Sequence, residues 1–100
     1  MRVPEVSAIL VNYNAGPELR YALQSIADEL AETSWDAIVV DNASIDGSSE
    51  VVSEFAPNAS LIRNKRNVGL APAVNQALRR TSAPFVLMMN PDCRLVGGAM

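Results

Sequence analysis

The side chains able to do chemistry gather in four short polar segments: Asn12-Tyr13-Asn14, Asp41-Asn42-Ala43-Ser44, the loop from Arg63 to Gly69, and Asn90-Pro91-Asp92. Read alone, each has a plain structural use. Asp41 to Ser44 can cap backbone groups at a strand-to-helix turn, and Asn90 and Asp92 can close an Asx turn around Pro91. Arg63, Lys65 and Arg66 make a basic loop, and Gly69 lets backbone approach closely where a helix begins, a place that suits an anionic ligand. Taken singly, these cations also read as a solvated charged loop. The chain contains no histidine, which removes Ser-His-Asp and Cys-His catalysis from these residues. Cys93 has no base beside it and reads as a small packing residue rather than a nucleophile. Asp46 and Glu50 are carboxylates, but their spacing qualifies neither as a general base.

The elements that must position these segments follow from periodicity. Val6 to Val11 is short, β-branched and almost wholly apolar, as a strand covered on both faces should be. Pro17 suits a first helical turn, and Leu19, Leu23, Ile26 and Leu30, with Ala22 and Ala27 on the same face, predict an amphipathic helix. Asp36 to Val40 is a second buried strand. Asp46-Gly47-Ser48-Ser49 leads into a helix carrying Val51, Val52 and Phe55 and closed by Pro57. Ser60-Leu61-Ile62 is a weaker third strand. Gly69 to Arg80 predicts a helix with Ala71, Val74 and Leu78 on one side and Arg79 and Arg80 at its end, where cations suit the helix dipole. Pro84 to Met89 is the fourth strand, and Trp35 reads as surface packing. Successive strand-helix units imply an α/β fold, a mainly parallel sheet with right-handed crossovers. In such sheets ligands bind beyond the carboxyl ends of the strands, which is where the four polar segments fall.

Composition narrows the function classes. One hundred residues, 49% hydrophobic and 19% charged, describe one globular domain. A net charge of −3 and a pI near 4.7 give no broad basic surface, so no nucleic acid partner is expected. A lone cysteine forms no internal disulfide and fits a reducing compartment. The apolar runs are far shorter than the roughly 20 residues of a membrane helix. Arg2, Pro4 and Glu5 precede no signal-peptide core. The chain therefore reads as cytoplasmic, either free or attached to a membrane through other parts of a longer protein.

The order Val39-Val40-Asp41-Asn42-Ala43-Ser44-Ile45-Asp46-Gly47-Ser48, then Asn67-Val68-Gly69-Leu70-Ala71 with Asn75, then Asn90-Pro91-Asp92 resembles the family 2 glycosyltransferases of the GT-A fold. Members carry Tyr-Asn after the first strand, Asp-x-x-Ser-x-Asp-Gly-Ser/Thr after the second, and an Asp-x-Asp-like turn after the fourth. Asn-Pro-Asp and Asn-x-Gly look most like the rhamnosyltransferase-like branch, with roles in cell wall or polysaccharide biosynthesis. The resemblance implies a Rossmann-like three-layer α/β/α domain. It also implies that residues 1–100 are the N-terminal part binding a nucleotide-diphosphate sugar, cut after the fourth strand, with the acceptor-binding half absent. It puts Tyr13 against the nucleobase, where an aromatic face can stack, and Asn12 and Asn14 nearby. Asp41 would accept from the N3–H of uracil or thymine, favouring a UDP- or dTDP-sugar. Asn42, Asn67, Gly69, Asn75 and Asn90 complete the nucleotide-binding set. Asp92 would hold Mg²⁺ or Mn²⁺ bridging the two phosphates. Because Asn90 replaces the usual first acid, metal binding without nucleotide should be weak.

Catalysis in the complete enzyme would be inverting attack by a hydroxyl of a glycan or lipid-linked acceptor, with a carboxylate base that the family supplies from its second half, beyond Met100. The 100 residues alone are then expected to bind nucleotide weakly and transfer no sugar. A dinucleotide-binding domain would need Gly-x-Gly-x-x-Gly after the first strand, where only Gly16 stands, and a P-loop motif is absent. A sugar nucleotidyltransferase-like domain is the nearest enzymatic alternative, although its Gly-rich basic loop is missing. A non-catalytic nucleotide-sugar-binding or assembly module is the other. Phe85 to Met89 reads as a central strand without its next neighbour, so pairing of this strand between two copies is expected.

Overall fold

The computed structural model describes residues 3–94. Arg2 and Met100, on which the expectations about the two ends rest, lie outside them. The elements run β1 (Val6–Asn12), α1 (Glu18–Glu29), β2 (Trp35–Asp41), a 3-10 helix (Ser48–Phe55), β3 (Ala59–Arg63), α2 (Leu70–Leu78) and β4 (Phe85–Met89). All four strands pair in parallel in the order β3-β2-β1-β4.

The apolar runs of β1 and β2 are continuous because both faces are covered. Ala8, Leu10, Ala37 and Val39 point into one core with α1 and with Val51 and Val52 of the 3-10 helix. Ile9, Ile38 and Val40 point the other way, against Ala73 and Ala77 of α2. The sheet is thus the middle of three layers, as expected. On α1 the predicted stripe is buried at Leu19, Ala22, Leu23 and Ile26, continued by Leu30. Ala27 is only half-buried.

Two elements differ from their sequence expectation. The segment before Pro57 winds as a 3-10 helix, whose three-residue turn brings Ser49, Val52 and Phe55 into one row against the core. Gly47 enters it with φ +76°, and Ala56, extended before Pro57, ends it. On α2 the buried residues are Ala73 and Ala77, whereas Ala71 is exposed, Leu78 is 41% exposed and Val74 is half-buried. The expected stripe of Ala71, Val74 and Leu78 is therefore rotated away from the sheet. Small side chains let the helix backbone approach the strands, and the larger ones are left at its flank.

Register sets which polar ends meet. Asn12 lies opposite Asp41, and Asp41 opposite Arg63. β4 follows the other side of β1, with Met89 opposite Leu10, so Asn90 to Asp92 emerge next to the β1 loop. Trp35 is half-buried and packs on the first core. At the opposite end of the sheet the buried Ser7 donates to Asp36 at 2.5 Å and shares a 2.6 Å hydrogen bond with Thr81, tying β1, β2 and the approach to β4 together.

Candidate functional site

Asp41 sits at the end of β2 with 2% of its surface exposed. Its Oδ1 accepts from Ser49 Oγ at 2.5 Å and Asn12 Nδ2 at 3.1 Å, and its Oδ2 accepts from the Ser44 amide at 3.1 Å. Burial pushes this carboxyl up, but the hydrogen bonds from Ser49, Ser44 and Asn12 together outweigh it and hold it below its ordinary value. The group is a buried anionic acceptor whose donors are the Ser49 hydroxyl, the Ser44 hydroxyl and amide, and Asn12, about as many as the four lone-pair sites of a carboxylate take.

Asn12, fully buried, holds this cluster from beneath. Its Nδ2 also faces Ser48 Oγ and Ser49 Oγ, both at 2.8 Å, and its Oδ1 accepts from the Ala15 amide at 3.2 Å. Asn14 bridges the first two loops, donating its amide to Ser44 Oγ at 2.8 Å and accepting from the Ile45 amide at 2.8 Å. Its φ of +51° is a left-handed conformation that Asn tolerates better than most residues. Asp46 accepts from Ser48 Oγ, the Ser48 amide and the Gly16 amide. The Ser48 hydroxyl is the main cause that holds its carboxyl below the ordinary value, so it is a turn-closing anion and a poor base.

Asn42 is also buried, and its amide group is committed. Nδ2 donates to the Gly69 carbonyl at 3.1 Å, while Oδ1 accepts from Asn64 Nδ2 at 3.0 Å and the Val68 amide at 3.5 Å. Asn64 in turn exchanges two hydrogen bonds of 2.8 Å with Gln76. Asn67 accepts from the Gly69 amide at 2.9 Å, and Gly69 has φ +87°, a backbone that strains other residues. Asn75 lies exposed on α2, about 9 Å along the helix from Gly69 by helical rise. The fold therefore brings Asn12, Tyr13, Asn14, Asp41, Asn42, Asn67 and Gly69 to the strand ends and leaves Asn75 down the helix.

Tyr13 is 57% exposed, and its ring borders a hollow of ≈ 250 Å³ shared with Val11, Ala15, Glu18, Pro91 and Asp92. Asn90 borders a neighbouring apolar hollow of ≈ 290 Å³ with Val11, Leu70, Val74 and Cys93. The Asn90 carbonyl accepts from the Cys93 amide at 2.9 Å, so Asn90 to Cys93 do close a turn. Asp92 and Cys93 are exposed on it. Among the described residues no group of three metal-ligating side chains occurs. The β2 and β4 ends are two strand spacings apart, about 10 Å, which separates Asp41 from Asp92.

Sequence reasoning missed Ser49, Asn64 and Gln76. Ser49 follows an already polar run, and only the hydroxyl's position against Asp41 gives it meaning. Asn64 and Gln76 are 12 residues apart in ordinary polar contexts that carry no signal.

Residues 7–97 match the family model described as glycosyl transferase family 2. The chain belongs to glycosyltransferase family 2. It is similar to the putative teichuronic acid biosynthesis glycosyltransferase TuaG of Bacillus subtilis (strain 168), 28% identical over 92 residues, 89% of this chain and 36% of the relative. Among solved structures, the mannosyltransferase PcManGT from Pyrobaculum calidifontis, in complex with GDP-Man and Mn²⁺, superposes with a TM-score of 0.78 at 28% identity, covering 92% of this chain and 28% of that one. S. aureus TarS 1–349 in complex with UDP-GlcNAc gives a TM-score of 0.78 at 26% identity, covering 88% and 26%. The GT-A fold expected of family 2 is the fold found, and the nucleotidyltransferase alternative is not favoured. This family 2 chain spans about a third of the length of the curated relatives it matches. No helix among its described residues is long and apolar enough to cross a membrane.

Proposed function

We propose that this chain is the donor-binding part of an inverting hexosyltransferase of the rhamnosyltransferase-like branch, taking a UDP- or dTDP-sugar. The observation that carries the reading is the ionised, rigidly held Asp41 carboxylate at the end of β2, level with Asn12 of the neighbouring strand, which the exposed Tyr13 follows. An acceptor fixed at the end of a strand, with a stacking face on the neighbouring loop, suits a pyrimidine that offers an N3–H. The likeness to a GDP-mannose enzyme equals that to a UDP-GlcNAc enzyme in TM-score, so the preference rests on Asp41 rather than on the neighbours. Tyr13, Asn12 and Asn14 form the base side. Asn42, Asn67 and Gly69 shape the loop that follows β3, Asn75 belongs to the helix behind it, and Asn90 and Asp92 form the phosphate side.

One carboxylate with an adjacent carbonyl-bearing turn fits a cation that is held mainly by substrate phosphates, as Mg²⁺ commonly is. Asp92 would hold Mg²⁺ or Mn²⁺ there, and the ion's chemistry is neutralisation of charge on the departing nucleoside diphosphate. The chain's own residues bind and orient the donor. Attack by a glycan or lipid-linked acceptor hydroxyl, with inversion, needs a general base. Asp46 is committed to Ser48 and Gly16, and we assign the base to parts of a longer protein. The 100 residues then bind nucleotide without transferring sugar. The relative named for teichuronic acid synthesis supports a role in cell wall or polysaccharide assembly, on the cytoplasmic side. The exposed edge and face of β4, with Phe85, Val86 and Met88 exposed, support pairing of two copies of this chain through that strand.

The test measures UDP binding by the chain with and without Mn²⁺, in the wild type and in Asp92→Ala. Loss of the Mn²⁺ enhancement in the variant, with metal-free binding retained, is the expected result. Sugar transfer from a UDP- or dTDP-sugar by the 100 residues would contradict the assignment of the base elsewhere.

A further inference from the structure

The turn after β4 is tied to α1 by a side chain that has no part in the site described above. Arg94 donates from Nη2 to Glu18 Oε2 at 2.5 Å. Its Nη1 donates to the carbonyls of Cys93 at 2.9 Å and Pro91 at 3.3 Å. The guanidinium carbon lies over the Tyr21 ring, 5.3 Å from its centroid. Glu18 and Tyr21 are three residues apart and so are neighbours on one face of α1. The opposite face is anchored in the core through Leu19, Ala22, Leu23 and Ile26. One guanidinium therefore joins two carbonyls of the Asp92 turn to a helix that cannot shift without disturbing the core. An exposed ion pair alone contributes little, but the planar fork adds carbonyl hydrogen bonds and a cation-π contact to it.

Glu18 and Asp92 border the same hollow of ≈ 250 Å³. Arg94 pairs with Glu18, and among the described residues Asp92 enters no ion pair. The arrangement leaves Asp92 as the anionic group of that hollow without a cationic partner.

We propose that Arg94 is a positioning residue: docked on Glu18 and Tyr21, it holds the Asn90 to Asp92 turn beside the β1 loop so that Asp92 meets a divalent cation carried by a nucleoside diphosphate. This rests on the assignment of Asp92 as cation ligand. Charge alone would act differently. Removing the Arg94 cation would tighten a nearby metal, and removing the Glu18 anion would weaken it, so through-space electrostatics predicts opposite signs for the two variants. A clamp predicts the same sign for both.

The experiment titrates Mn²⁺ into the full chain with UDP for the wild type, Arg94→Ala, Glu18→Gln, the double variant and Arg94→Lys. It also follows amide hydrogen exchange at Cys93, whose N–H bonds the Asn90 carbonyl. Arg94→Ala and Glu18→Gln are each expected to raise the Mn²⁺ midpoint about three- to tenfold, speed Cys93 exchange and leave metal-free UDP binding unchanged. The double variant should go no further than either single, and Arg94→Lys should recover part of the shift, keeping the charge without the fork. Thermal melts confirm that each variant is folded, and Glu18→Gln carries the same prediction should Arg94→Ala fail to fold. A lower midpoint in Arg94→Ala, an unchanged midpoint despite faster exchange, or an equal loss of metal-free binding overturns the proposal. If wild-type UDP binding already ignores Mn²⁺, the assignment of Asp92 fails and the clamp's role falls with it; failure confined to the variants overturns the clamp alone.

Discussion

At the residue scale, the cluster at the strand ends is organised by one carboxylate. Asp41 closes its own turn through Ser44 and Ser49, and on the function proposed above a nucleobase N3–H would take the place of the Ser44 hydroxyl on it. Ser49→Ala removes a buried donor to a charged group and should lower the unfolding free energy by about 1–3 kcal/mol, measured by urea denaturation. Because folding holds the Asp41 carboxyl below its ordinary 3.8, the ionised form stabilises the folded chain. That contribution is fully present above the ordinary value and is lost as the pH falls through the lower folded value. The stability difference between wild type and Asp41→Asn should therefore shrink as the pH is lowered from neutrality to below 3.8, and melts across that range check it. The placement of Tyr13, Asp41 and Asp92 at strand ends was legible because carboxylates and an aromatic ring closing apolar runs stand out by type. Asn42 was legible as a position but not as a role, since its commitment to Gly69 and Asn64 depends on loops far apart in sequence.

At the element scale, strands and α1 were readable because β-branched runs and a Leu/Ile stripe at helical spacing are strong signals. α2 was readable as a helix and misread as a face. Its interior residues are alanines, which signal weakly, while the larger Leu70 and Leu78 stand at the flank. This predicts an unusual ordering of mutations. Ala77→Leu should destabilise by about 1–3 kcal/mol through overpacking against Ile38 and Val40, whereas Leu78→Ser should stay within about 0.5 kcal/mol. The reverse order in chemical denaturation would restore the face expected from the larger side chains. The 3-10 winding of Ser48–Phe55 was not legible, because Val51, Val52 and Phe55 fit either helical pitch.

At the scale of the whole molecule, a parallel sheet ordered β3-β2-β1-β4 gathers every loop that carries the family motif at one edge. It also leaves β4 outermost among the described strands, with Met88 64% exposed and, on the flank of α2, Leu70 65% exposed. Val86→Lys and Met88→Lys are expected to shift sedimentation of the chain toward monomer, since lysines blunt an open edge; a wild type that is monomeric at every concentration would contradict pairing through β4. The loop motif makes the family legible from sequence, whereas the donor preference proposed above turns on a base meeting Asp41. The most direct test of that meeting is a calorimetric titration of the wild-type chain with UDP, dTDP, GDP and CDP in the presence of Mn²⁺. UDP and dTDP, which offer an N3–H to Asp41, should bind more tightly than GDP and CDP, and Asp41→Asn should remove the difference. Equal affinity for all four nucleotides in the wild type would contradict it.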